Sequence, residues 1–221
     1  MFEFDWLVVA RGWRFLVAGI QVTLFIVAAA TTIGLVIGLV IGLLRGMKVR
    51  GIDFVAGWYI EVFRNTPILV QIVWFYYVLP LVLGTPGMSA ATTCIISIGL
   101  NAGAYLAEVF RAGIQAVDVG QMEASRSLGM SYLKAMGLII LPQAVRNVLP
   151  ALVNTFVVLI KESAQVTFVG VMDVMHRGDM LSTNTSRPIE AYTAVAAIYF
   201  VICYAISKGA GLIERRIATA S

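Results

Sequence analysis

Charge is scarce in this chain. Asp, Glu, Lys and Arg make up 13% of its 221 residues, 60% are hydrophobic, and the mean hydropathy is +0.90. A soluble domain carries roughly 25% charged residues, so no water-facing surface can be built here, and disorder is excluded by the same numbers. Only two cysteines are present, Cys94 and Cys203, both inside apolar runs, which excludes a disulfide-stapled fold. His176 is the only histidine, so no His-centred metal site or catalytic triad is supported, and it reads as a surface or loop residue. No G-x4-G-K-[ST] phosphate loop occurs. No basic tract with interleaved aromatics points to nucleic acid. The first charges are Glu3 and Asp5, the wrong sign for a cleavable signal. What remains is an all-α membrane protein.

Charge-free runs mark the spans. None of the four charged residue types occurs from Phe15 to Leu44, more than the roughly 20 residues a crossing needs. Gly34, Gly38 and Gly42 repeat along this run as a small-xxx-small ridge for a close helix neighbour. Arg11 and Arg14, with Trp6 and Trp13, read as an interfacial stretch before it. Asn65 to Ala107 is charge-free again and too long for one helix, and Pro80, Gly84, Pro86 and Gly87 divide it. Spans are therefore expected over 15–44, 67–83, 90–113, 135–160 and 189–213, in one domain covering 1–221. The fourth should start kinked or broken, because Pro142, Arg146 and Pro150 interrupt it. Residues 163–188 read as a mixed external segment, partly helical at membrane depth. The net charge of +4 is read as orientation. With the N-terminus outside and the C-terminus inside, Arg45, Lys48, Arg50, Arg64, Arg111, Arg126, Lys134, Arg146, Lys208, Arg215 and Arg216 fall inside. Arg11, Arg14, Lys161, Arg177 and Arg187 fall outside.

Between the third and fourth spans lies a polar stretch, DVGQMEASRSLGMSYLKAMGLIILP from Asp118. It predicts a short helix over 119–128, ended by a left-handed Gly129 and lying across the cytoplasmic face. On physics alone such a helix is either a structural loop or a docking lever.

Here the chain resembles a known family. Glu123, Ala124 and Ser125, then Gly129, Ile139, Leu141 and Pro142 fit the spacing E-A-A-x3-G-x9-I-x-L-P of the loop found in ABC importer permeases, with Ser125 in place of the second Ala. VFRNTPILVQIVW (62–74), YLAEVFRAGIQAVDVGQ (105–121), LPQAVRNVLPALVN (141–154) and LIKESA (159–164) resemble the polar amino-acid branch, although that branch usually has Gly where Asn65 stands. The resemblance implies a five-helix type I importer fold with a cytoplasmic coupling helix. It implies a second permease subunit, the same chain or a paralogue, a pair of ATP-binding subunits that hold the ATP and Mg, an external amino-acid-binding protein, and a bacterial inner membrane. No cofactor is expected on this chain. Glu123, Ala124, Ser125 and Gly129 would couple it to the ATPase.

Ionisable and polar residues at membrane depth are candidates for the pathway. Glu61 with Arg64, and Glu108 with Arg111, read first as ion pairs. Asn154 and Thr155 in the fourth span, Glu162 at its end and Gln71 in the second are the candidate lining residues. Family members that take cationic amino acids resemble one another in carrying a carboxylate where Thr155 stands here. That resemblance points to an acidic or neutral substrate such as glutamate, aspartate or glutamine. The alternatives are a stand-alone secondary transporter or channel, and a membrane-embedded enzyme. The former should show paired broken helices and the latter paired catalytic groups, and neither pattern is found.

Overall fold

The computed structural model describes residues 4–46 and 50–218; Glu3 and Lys48 lie outside them. Among the described residues every regular element is helical. In chain order they are α1 (Leu7–Gly46), α2 (Arg50–Arg64), α3 (Ile68–Leu83), α4 (Ala90–Gln115), α5 (Val119–Ser127), α6 (Tyr132–Val169), α7 (Val174–Thr185) and α8 (Pro188–Ala218). Four of them, α1, α4, α6 and α8, are long and apolar enough to cross a membrane; α2 and α3, which meet at 102°, are together long and apolar enough to make a fifth, as a broken span or a re-entrant loop.

The centre of the bundle is the contact between α1 and α4. A side chain on Gly34 would come within 2.8 Å of Ala102 Cβ, on Gly38 within 2.6 Å of Leu106 Cβ, and on Gly42 within 2.9 Å of Phe110 Cβ. Both series advance by four residues in the same direction, so the helices run parallel at backbone distance. Ile26, Val27 and Ala30 of α1 join Cys94, Ile98 and Ala102 of α4 in the main core. α4 is the most enclosed crossing, which explains why its sequence tolerates Ser97 and Asn101 in the interior. Gly19 meets the backbone at Asp173 and Val174, which seats α7 against the other end of α1.

Helix ends sort the molecule into two faces. α1 and α4 finish together, and Arg45 joins them through ion pairs with Asp53 (2.9 Å) and Glu108 (2.5 Å), while Glu108 also holds Arg111 (2.5 Å). The expected Glu108–Arg111 pair is therefore half of a network that fastens α1, α2 and α4. α5 follows on this face, with Arg126 and Lys134. Arg11, Arg14, Arg177 and Arg187 lie at the opposite face, where Asp5 N donates to Glu190 (2.9 Å).

Several expectations change. The stretch around Trp6 and Trp13 is largely the first turns of α1 rather than a separate interfacial segment, which makes α1 40 residues long, about 60 Å. The external segment is partly helical, as expected, through α7. Its N-cap is Asp173, fully buried, which accepts from His176 N (2.8 Å) and from the Tyr199 hydroxyl (3.1 Å); burial raises its carboxyl pKa. His176 is accordingly half-buried in the first turn of α7, with Nδ1 3.0 Å from Thr167 Oγ1, and is not a loop residue. The start of α6 is not broken: the helix runs on through a π-helical turn over Met136–Ile140, the kind of irregularity at which helices kink, and then through Pro142.

The glycine ridge makes a sharp expectation. Gly38→Leu forces α1 from α4 and should destabilise the purified protein by roughly 1–3 kcal/mol or more. Gly209→Ala, which meets nothing within 4 Å, should not. Thermal unfolding in detergent compares the two.

Candidate functional site

The break between α2 and α3 builds the site. Pro67 disfavours a helical Thr66 and provides no N–H, so α2 stops at Arg64 and α3 restarts at Ile68 in a new direction. A break leaves helix carbonyls without partners, which is costly away from water. Two buried amides supply them. Gln71 Nε2 donates to Phe63 O (2.9 Å), Thr66 O (3.1 Å) and Thr66 Oγ1 (2.6 Å), and Asn101 Nδ2 donates to Phe63 O (2.8 Å) and Gln71 Oε1 (3.0 Å). Asn101 is near the middle of α4, so the break sits at about half the height of that crossing.

The break faces a polar cavity of about 310 Å³, at the small end of the range for ligand pockets. Arg64, Asn65 and Thr66 line it from the break, Asn101 and Tyr105 from α4, and Glu162 from α6. Arg64 and Glu162 stand 98 positions apart in the chain and meet here as opposite charges. The Arg64 guanidinium stacks over the Tyr105 ring, 5.3 Å from its centroid. Glu61 takes its hydrogen bond from Asn65 Nδ2 (2.7 Å), not from Arg64, so the expected Glu61–Arg64 pair is not formed.

Of the residues singled out from the sequence, Glu162 lies in this cavity and Gln71 lies beneath it, 7% exposed, as the brace of the break and not as a lining group. Asn154 is exposed on α6 about two turns before Glu162. Thr155 turns the other way. Its hydroxyl donates to Ala151 O (2.8 Å), and it lines a separate apolar cavity of about 230 Å³ with Leu35, Leu106, Phe156 and Ile206. In this chain Thr155 thus lines a different cavity from the one at the break. Asn65, Thr66, Asn101 and Tyr105 were missed. The signal for them was available in the helix-breaking Asn-Thr-Pro run at the start of a charge-free segment and in the lone Asn within an apolar span.

The second candidate site is α5. Asp118 caps it, accepting from Gly120 N (2.6 Å). Ser125 is buried and donates to Gln121 O (2.6 Å), and Met122 packs with Val117, Met136 and Ile139. Glu123 and Ala124 face outward, as does Leu128, 83% exposed. Gly129 has φ +82°, and the turn closes through Gly129 N to Arg126 O (3.0 Å) and Met130 N to Ser125 O (3.2 Å). Met122 thus packs the helix against the body while Glu123 and Ala124 face outward. Among the described residues no group of three or more His, Cys, Asp or Glu could hold a metal.

Comparison with known proteins adds to this geometry. The family model of binding-protein-dependent transport system inner membrane components matches residues 34–219. The arginine transport system permease protein ArtQ of Bacillus subtilis is 36% identical over 92% of this chain and 92% of its own. The glutamine transport system permease protein GlnP of Escherichia coli is 33% identical over 97% and 98%. A solved structure described as an amino acid ABC transporter with histidines superposes with a TM-score of 0.91 at 42% identity, covering 97% of this chain and all of the other.

The brace under the cavity is testable. Gln71→Leu leaves the Thr66 carbonyl and one N–H of the Asn101 amide without a partner and should lower stability by about 1–3 kcal/mol. Gln143→Leu, which removes only a bond to Ile139 O (2.9 Å) within one helix, should cost less in the same thermal unfolding measurement.

Proposed function

The chain belongs to the family of binding-protein-dependent transport system inner membrane components, the permeases of ABC importers, and we propose that it forms, with a second permease subunit, the pathway of a polar amino acid. It is an integral multi-pass membrane protein. The observation that carries the substrate reading is the polar cavity halfway along α4, where Arg64 and Glu162 offer one cation and one anion. An amino acid presents the complementary pair, its carboxylate for Arg64 and its ammonium for Glu162. Charge-assisted hydrogen bonds of this kind are the strong ones, and more so away from water. The names of the relatives, glutamine and arginine permeases, support an amino-acid substrate.

ATP and Mg are held by a partner ATPase dimer, and an amino-acid-binding protein delivers substrate at the opposite face. This chain itself binds no cofactor. The face bearing α5 is cytoplasmic, the N-terminus is outside and the C-terminus inside, in a bacterial inner membrane. The concentration of Arg45, Arg111, Arg126 and Lys134 at the α5 face supports that orientation. α5 enters a cleft of the ATPase with Glu123 and Ala124 leading. Closure of the ATPase dimer displaces α5, and α4, joined to it by the three residues 116–118, carries the displacement to the cavity. The shift between inward- and outward-open states is limited to the differential binding free energy of those states.

Two experiments test this on the complete complex in proteoliposomes. Glu123→Lys and Gly129→Asp should retain ATP hydrolysis and lose substrate-dependent uptake; normal uptake by both would refute the role of α5. Arg64→Ala and Glu162→Gln should each reduce amino-acid binding at least about tenfold, as expected for loss of a charge-assisted bond of roughly 1.5–3 kcal/mol, whereas Thr155→Val leaves preference among amino acids unchanged.

A further inference from the structure

A buried polar cluster begins one residue after Glu162. Within α6 the α-helical winding ends at Glu162, and a 3₁₀ stretch, Ser163–Val169, takes over. Neighbouring residues of a helix point about 100° apart, so Glu162 reaches the polar cavity while Ser163 turns into the bundle and is fully buried. There the Ser163 hydroxyl donates to Ile160 O (2.7 Å). It also neighbours the hydroxyl of Tyr199 on α8, which has Thr23 of α1 as a further hydrogen-bonding neighbour. The Tyr199 hydroxyl has a single proton and gives it to Asp173 Oδ2 (3.1 Å). Asp173 is itself fixed: Oδ1 accepts from His176 N (2.8 Å), and Val174 N beside it donates to Thr23 Oγ1 (3.3 Å). Thr23, Ser163 and Asp173 are all fully buried. One phenolic hydroxyl therefore joins α1, the end of α6 and the start of α7.

We propose that Tyr199 is a positioning residue for Glu162: its hydroxyl sets the rotation of the end of α6, and with it the direction in which the Glu162 carboxylate meets the ligand ammonium. The proposal rests on the cavity reading above and extends it to a residue that does not line the cavity, so Tyr199 acts through Glu162 and not on the ligand. Leu159 and Ile160 also pack inward here, but apolar contact is non-directional and tolerates rotation of a helix about its axis. Hydrogen bonds do not, because they weaken steeply as they bend. Asp173 contributes by orienting the hydroxyl: an ionised carboxylate makes the stronger bond, so the tyrosine proton stays committed to it. A charge-assisted bond from Glu162 to a ligand depends on this support, and about 1 Å of looseness around a site is enough to spoil it.

A rival reading makes the cluster a structural knot that only ties α7 to the bundle. Loss of such a knot would loosen the cavity as a whole and weaken binding whether or not residue 162 is charged. Loss of a positioning residue should stop mattering once the Glu162 charge is gone. The permease–ATPase complex is purified without the binding protein, and binding of labelled glutamine and labelled arginine is measured. Tyr199→Phe, which removes the hydroxyl and keeps the ring, and Ser163→Ala are each made in the wild type and in Glu162→Gln, and the thermal unfolding midpoint of every variant is recorded. In the wild-type background each should weaken binding at least about threefold, and in the Glu162→Gln background each should change it less than about 1.5-fold, the non-additivity of residues that act through one contact. If one of the two fails to fold, the other decides. Equal losses in both backgrounds, no loss in the wild-type background while Glu162→Gln itself weakens binding, or failure of both variants to fold overturns the positioning role and leaves the cavity reading standing. Equal binding by the wild type and Glu162→Gln, or no binding of either probe by the wild type, overturns the cavity reading and the proposal with it.

Discussion

A helix that stops halfway across a bilayer strands carbonyl oxygens where no water can reach them. The architecture around the α2–α3 break answers that constraint. Pro67 makes the interruption, and Gln71 and Asn101 make it tolerable by closing on Phe63 O and Thr66 O. Without those two amides the 102° turn would have to straighten or collapse. The polar cavity exists because the chain cannot continue as a helix there, and Asn101, which helps repair the break, is also part of its wall.

The cavity is also connected through the helices to the face that bears α5. α5 hangs from the end of α4, whose middle supplies Asn101 and Tyr105. The Arg45 network ties the starts and ends of α1, α2 and α4 together at that face, and α2 carries Arg64 to the cavity at its other end. The face that bears α5 is thus linked to the cavity by two helices that are joined to each other at one end by ion pairs and at the other by side-chain hydrogen bonds. The half-exposed network need contribute little to stability to perform this; its geometry matters more than its energy.

Much of the fold was legible because a membrane imposes a one-dimensional code. Charge-free length located the crossings, the four-residue glycine repeat gave the α1 face that packs, and the Glu123–Gly129 spacing located α5. Positive φ at Gly129 followed from the same reasoning. What was not legible depends on three dimensions. Arg64 and Glu162 come together only because α2 stops short and α6 ends beside it. Thr155 was linked to Asn154 by adjacency, yet neighbouring positions in a helix point about 100° apart, which places Thr155 among apolar side chains of α1, α4 and α8. Gln71 was identified as important from being polar in an apolar run. Its neighbour in space, Asn101, decided that its role is to brace the backbone.

The parallel packing of α1 on α4 has a consequence for how the protein is made. The two helices are separated by the whole of α2 and α3, so when α1 enters the membrane the ridge of Gly34, Gly38 and Gly42 has no partner. Until α4 has been synthesised, α1 is a 40-residue helix held in lipid only by its hydrophobicity. Its glycine face lies bare to any membrane protease or insertion chaperone that recognises unpacked helices. Assembly is therefore committed late, by the arrival of the third crossing.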